Sequence, residues 1–271
     1  MDLNTIETVV ERPERNAMAG WRAGDAWLAG GTWLFSEPQP HLTRLFDLQS
    51  FGWTPFETDS DGITIAASCR IAELERWTPP PAWQAATTLV PLCCRALLGS
   101  FKVWNAATVG GNVCLALPAG PMTALAAALE GSCRVWGAGY EHDLPIDDLV
   151  IGAGRNALQA GELLRSIRLP SAALRRRAAF RQISLTPLGR SGALVIGTLA
   201  SGGGFRLTVT ASTTRPVVLA FPAPPGRKQL LTAWDAVPDD VIFDDLHGRP
   251  RWRRHVTAHL ASEILDELAT A

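Results

Sequence analysis

Apolar positions fall into short alternating runs and a few stripes at three- and four-residue steps, with glycine or proline marking most of the changes between them. Ala26-Trp27-Leu28 reads as a short strand that runs into a glycine turn. Leu42 to Leu48 and Gly62 to Ala66 read as further strands, the second entered through the Asp61-Gly62 turn signal. Ala85 to Leu98 has helical composition, and Pro91 predicts that the helix is interrupted or starts near the proline. Between Pro121 and Leu129, the spacing of Met122, Leu125, Ala126 and Leu129 predicts a helix with one apolar face, opened by Pro121 and stopped by Gly131. Cys133 to Trp136 reads as a strand ahead of a glycine-rich hairpin. The stretch from Leu169-Pro170 to Arg177 marks a boundary, giving domains of 1–172 and 173–271. Beyond it, strands near Phe180–Leu185, Ala193–Leu199 and Phe205–Thr210 are separated by turns that include Gly202-Gly203-Gly204, which predicts an antiparallel sheet closed by a terminal helix from Arg251. The class is α+β, without an internal repeat.

Composition narrows the function. With 271 residues, 47% hydrophobic and 19% charged, the chain is long enough for two cored domains. No apolar run reaches the roughly 18 residues of a membrane span. The start, Met1 to Glu7, lacks the basic-then-apolar order of a signal peptide, so the expected location is cytoplasmic. A net charge of −1 and one isolated basic run, Arg175-Arg176-Arg177, argue against nucleic acid as a partner. The five cysteines include no Cys-x-x-Cys and read as reduced core thiols, which excludes a recognisable iron–sulfur or zinc framework within the chain.

Two glycine turns carry the candidate chemistry: Ala29-Gly30-Gly31-Thr32 and Thr108-Val109-Gly110-Gly111-Asn112. A Gly-Gly pair takes φ > 0 without a Cβ penalty and brings the main chain close to a ligand, so successive amides form an anion nest. Two nests suggest a diphosphate, with the hydroxyls of Thr32 and Thr108 and the amide of Asn112 as orienting groups. Other motifs fall away. Gly152-Ala153-Gly154-Arg155-Asn156-Ala157 fits the G-x-G-x-x-G/A pattern, but Gly161 interrupts the helix it needs and the stretch near Arg175 is basic where an acid should follow. His255, His259 and Glu263 lie along about 12 Å of one helix axis, too far to converge on one ion. No G-x-S-x-G or S-x-x-K motif occurs, and neither Lys102 nor Lys228 lies in a phosphate loop.

At these turns the chain resembles the FAD-binding medium subunit of molybdenum hydroxylases, the family of xanthine dehydrogenase and carbon monoxide dehydrogenase. Leu28 to Thr32 is similar to the family's first flavin loop, and Ala107 to Asn112 to its second. Leu144 to Leu149, Gly154-Arg155, Gly161 to Leu164 and Ile167 to Pro170 resemble its interdomain link. Asp245-Leu246-His247-Gly248 with Trp252 to His255 resembles its close. The resemblance implies a two-subdomain FAD-binding domain, PCMH-type and vanillyl-alcohol-oxidase-like, followed by a smaller domain with an antiparallel sheet and terminal helix. It implies FAD held by Ala29, Gly30, Gly31, Thr32, Trp33 and Leu34 and by Thr108, Val109, Gly110, Gly111 and Asn112, with neither a catalytic side chain nor a metal. It also implies a hetero-oligomer in which electrons pass from a small [2Fe-2S] subunit to NAD, quinone or oxygen, while a large molybdenum-cofactor subunit oxidises the substrate. Three features depart from the family's pattern. Trp33 stands where a small or acidic residue is usual, and its bulk is expected to alter the loop. Ser36-Glu37-Pro38-Gln39-Pro40 replaces a helix, and Leu117-Pro118-Ala119-Gly120-Pro121 lacks a carboxylate. Arg181 stands near the position of a basic or aromatic residue at the flavin edge, and also reads as a surface arginine. Two alternatives stay open: a stand-alone NADPH-dependent flavin reductase of the same fold, similar to enolpyruvyl-sugar reductase, and a degenerate scaffold subunit without catalysis.

Overall fold

The computed structural model describes residues 3–11, 13 and 15–270; Met1 and Asp2, where the expected first domain begins, lie outside the described residues. Three short strands, β1 (Thr8–Val10), β2 (Asp25–Leu28) and β3 (Arg44–Asp47), form a parallel sheet in the order β1-β3-β2. Buried Asp25 fixes the start of β2 by pairing with Arg44 of β3 at 2.6 Å. The Trp27 ring packs between Trp21 and Phe46, with centroids 4.9 and 5.3 Å away, so the strand that delivers the first glycine loop is stiffly held.

The next layer is an antiparallel sheet of β4 (Phe56–Asp59), β5 (Gly62–Ala66), β6 (Ser132–Gly137), β7 (Tyr140–Pro145) and β10 (Leu163–Pro170), in the order β4-β5-β10-β6-β7. Period-two alternation turns Cys133 and Val135 of β6 inward and leaves Arg134 outside, where it pairs with Glu141 and Asp143 of the polar edge strand β7. Helices α1 (Ile71–Glu75), α2 (Gln84–Ala96), α3 (Phe101–Ala106), α4 (Val109–Cys114) and α5 (Pro121–Ala128) cover the inner face. The short α6 (Ile146–Leu149) and a hairpin of β8 (Val150–Gly152) and β9 (Arg155–Asn156) follow. That hairpin holds the G-x-G-x-x-A lookalike, and no helix follows it, so the dinucleotide fingerprint lacks its structural context.

Two helix expectations need correction. Pro91 neither breaks nor starts α2, which runs continuously through it. The helix survives because the proline is only half-buried while Ala86, Leu89, Val90, Cys93 and Cys94 fill the core, so packing outweighs one lost backbone bond. Helix α5 has no polar face at all: every residue from Pro121 to Ala128 is buried, because α2 and α4 enclose it on one side and a second sheet on the other.

That second sheet is antiparallel, with strands β11 (Arg177–Ile183), β12 (Ala193–Leu199), β13 (Phe205–Thr210) and β14 (Val217–Phe221) after the short α7 (Ser171–Leu174). The last strand was not foreseen from the sequence. Leu194 and Ile196 pack toward α2 and α5, whereas Ala193, Val195, Leu207 and Val209 pack with α8 (Arg227–Asp235) and α9 (Pro250–Thr270) in a second core. Helix α9 lies so close that a Cβ on Gly197 would fall 2.2 Å from Ile264. All five cysteines are unpaired, and burial pushes the thiols of Cys69 and Cys94 up to about 12, so they stay protonated core groups. Among the described residues, no helix is long and apolar enough to cross a membrane.

Candidate cofactor cleft

The two glycine segments, about eighty positions apart in sequence, meet at a cleft of about 630 Å³. Their contact depends on an absent side chain. A Cβ on Gly30 would lie 1.8 Å from the Ala106 carbonyl oxygen, so only glycine lets the first loop press against the segment leading into α4. Gly31 is needed for its conformation, φ +68°, and the Phe35 ring packs over it. Phe35 N–H donates to the Gly31 carbonyl at 2.9 Å, which winds Thr32, Trp33 and Leu34 into a single helical turn. Among the described residues, the N–H groups of Gly30, Gly31, Thr32, Trp33 and Leu34 find no acceptor. Five consecutive unpaired amides beside a cleft form a strong anion cradle. Trp33 sits within this turn and lines the cleft with an exposed indole.

The second segment is a different object from the nest expected of it. Thr108 is the N-cap of α4, and its hydroxyl oxygen accepts from Gly111 N–H at 3.0 Å. Val109 N–H donates to Cys69 (2.8 Å), Gly110 N–H to Ala67 (2.9 Å) and Asn112 N–H to the Thr108 carbonyl (3.0 Å). Its amides from Val109 to Asn112 are therefore all spent within the protein, and in this segment only the Thr108 N–H finds no acceptor among the described residues. Gly110 and Gly111 are helical and do not have positive φ. Gly110 serves close packing, since a Cβ there would lie 2.4 Å from that of Ala67. Thr108, Gly111 and Asn112 line the cleft, whereas Val109 and Gly110 are buried behind its wall. The Asn112 side-chain oxygen accepts from Met122 N–H at 3.0 Å and so caps α5; its amide nitrogen and the Thr108 hydroxyl hydrogen remain available as donors.

The remaining walls come from Leu97, Leu98 and Val103, from Leu117 to Pro121, and from the C-terminal part of the chain. The segment from Leu117 to Pro121 brings no carboxylate to the cleft, and among the lining residues Arg190 is the one with a formal charge at neutral pH when His247 is neutral. Arg181 does not line the cleft. It pairs with Glu263 at 3.1 Å and Glu267 at 2.6 Å on α9. His259 pairs with the same Glu263 at 3.1 Å. The C-terminal wall, with Leu188, Arg190, Ser191 and His247, was missed as site material. It is held by Arg253, 1% exposed, which donates to the carbonyls of Gly248 (2.8 Å), Gly192 (2.6 Å) and Ala211 and to the Asp245 carboxylate. Burial pushes this guanidinium below its usual value while Asp245 opposes the shift. The only sequence signal was the pairing of Asp245–Gly248 with Trp252–His255, read there as a family signpost alone.

Comparison with known proteins fits this architecture. The chain resembles carbon monoxide dehydrogenase from Hydrogenophaga pseudoflava lacking the Mo-pyranopterin moiety (19% identity, TM-score 0.82, 99% of this chain and 98% of that one). It also resembles reconstituted CO dehydrogenase from Oligotropha carboxidovorans (18%, 0.83, all of both chains) and quinoline 2-oxidoreductase from Pseudomonas putida 86 (16%, 0.79, 99% and 98%). These likenesses establish the fold. No curated protein matches the sequence. The model of the FAD-binding domain in molybdopterin dehydrogenases matches residues 22–172, more than half of the chain and both glycine segments, so the protein belongs to that FAD-binding family.

Proposed function

We propose that this chain is the FAD-binding electron-transfer subunit of a molybdenum-containing hydroxylase or dehydrogenase. Electrons would enter from [2Fe-2S] clusters of a small partner subunit and leave to NAD, quinone or oxygen, with a large molybdenum-cofactor subunit completing a cytoplasmic hetero-oligomer. The observation that carries this reading is the run of five unpaired amides from Gly30 to Leu34 beside a cleft large enough for a dinucleotide. The residues fit the cofactor. Amides from 30 to 34 suit the diphosphate, Ala29 to Leu34 form one bank, and Thr108, Gly111 and Asn112 form the other with two side-chain donors. Val109 and Gly110 support that bank from behind. Bound FAD supplies one- and two-electron exchange, and the chain supplies position, donors and shelter from water. The neighbouring structures are molybdenum-linked dehydrogenases by name, which supports the partner assignment. A division into domains 1–172 and 173–271 belongs to the same reading, supported by the separate core built from residues between 179 and 268.

The test is purification of the chain with and without its neighbouring reading frames. A yellow protein with bound FAD, isolated with iron- and molybdenum-bearing chains and inert toward NADPH when alone, is the expected result. Rapid NADPH turnover by the isolated chain would instead make it a stand-alone reductase, and a colourless protein that takes up no added FAD would leave only a scaffold.

A further inference from the structure

The sequence contains ten tryptophans, and nine of them are accounted for by packing or hydrogen bonding. Trp21, Trp27, Trp53, Trp77, Trp83 and Trp136 contact other aromatic rings; Trp104 and Trp234 donate their indole N–H to carbonyls; Trp252 packs over Gly192 and Gly248. Trp33 is the exception among the described residues. Its ring has no aromatic neighbour, its indole N–H has no acceptor, and it belongs to none of the hydrophobic cores. It is 37% exposed, unusual for so large an apolar side chain, yet its backbone amide lies within the unpaired run and its side chain lines the cleft. Leu98 and Leu188, from two other segments, are also exposed and line the same cleft. Exposed apolar side chains therefore share the cleft with a bank rich in donors. A ligand with flat rings joined through a charged centre matches that combination, with amides for the anion and an indole for a ring face.

We infer that the Trp33 indole packs against a ring of the bound dinucleotide and shields it from solvent, so that this side chain is a positioning element of the cofactor site. The inference rests on the FAD reading above and adds a role for a side chain where that reading needs only the backbone of residue 33.

The test is fluorimetric titration of the flavin-free chain with FAD, using wild type, Trp33→Phe and Trp33→Ala. Loss of ring packing and apolar contact in Trp33→Ala should weaken binding about tenfold, while Trp33→Phe, which keeps a ring, stays within about threefold. The emission that Trp33→Phe removes should be quenched by acrylamide in the free chain and protected once FAD is bound. Wild-type affinity in Trp33→Ala, or a Trp33 equally open to acrylamide with and without FAD, overturns the inference while leaving the cofactor assignment intact. If Trp33→Ala fails to fold, the acrylamide comparison decides alone. A wild-type chain that takes up no FAD overturns the cofactor reading, and this inference with it.

Discussion

Replacing Arg253 by methionine should be among the most damaging single changes available outside the cleft. The side chain is buried, and its guanidinium satisfies the carbonyls of Gly192, Ala211 and Gly248 together with the Asp245 carboxylate. Methionine fills a similar volume but leaves three carbonyls short of a partner and a carboxylate without its cation. Removing one member of a buried ion pair costs about 3–5 kcal/mol, and the large-to-large swap avoids a cavity contribution. For a chain of this size, that corresponds to a fall in melting midpoint of roughly 10 °C. Lysine keeps the charge but presents donors from one point, so it cannot span acceptors on four sides and should recover only part of the loss. Thermal unfolding followed by circular dichroism reads both variants. A midpoint for Arg253→Met within about 2 °C of wild type, or full recovery by Arg253→Lys, would refute the argument that this one group ties the C-terminal wall together.

Other outcomes follow from particular contacts. Asp25 is held below the ordinary carboxylate range, chiefly by its hydrogen bond from Arg44, so its contribution is present above its unfolded value near 3.8 and is lost as pH falls through the lower folded value. Asp25→Asn should therefore lower the unfolding midpoint at pH 7 and flatten its decline below pH 4, and an unchanged acid limb would count against the pair. Burial raises Asp147, with Arg206 opposing, so ionising it costs stability as pH rises above its unfolded value. Asp147→Asn should be neutral or stabilising at pH 7 and lose that advantage below pH 4, as read by denaturant titration. Glu130 has φ +56° while bridging Arg176 and Arg206; Glu130→Gly and Glu130→Ala both lose the bridge, but the glycine variant should be more stable by about 1 kcal/mol because it relieves the backbone. Gly30→Ala drives a methyl into the Ala106 carbonyl and should abolish FAD uptake measured by absorbance, whereas Gly202→Ala, with open space around it and no positive φ, should leave uptake unchanged.

Local signals carried the sequence reading a long way. Strand-like stretches bounded by turn signals located Ala193–Leu199 and Phe205–Thr210, the two central strands, whose residues are buried on both faces of the sheet. The run Val217–Phe221, five apolar residues in succession, carried as strong a local signal and was missed; it forms the edge strand, paired with β13 on one side and largely half-buried. Pro91 shows the opposite failure: a strong local rule was overridden by a core that the rule does not contain.

The glycine segments mark the same divide at the site. That both pairs are places where a side chain is disfavoured was legible in the sequence, because glycine alone takes positive φ without strain and accepts backbone contact at such distances. Which of those reasons applies at each position was settled by neighbours: Ala106 against Gly30, Phe35 over Gly31, and Ala67 against Gly110. The sequence by itself therefore determined the class, the family and the location of the cleft's two banks. Only the tertiary structure decided that one bank offers a run of free amides while the other spends those of Val109 to Asn112 on Cys69, Ala67 and Thr108, and that a distant arginine braces the third wall. Hydrogen-bond satisfaction depends on partners far along the chain, and no pattern of nearby residues encodes it.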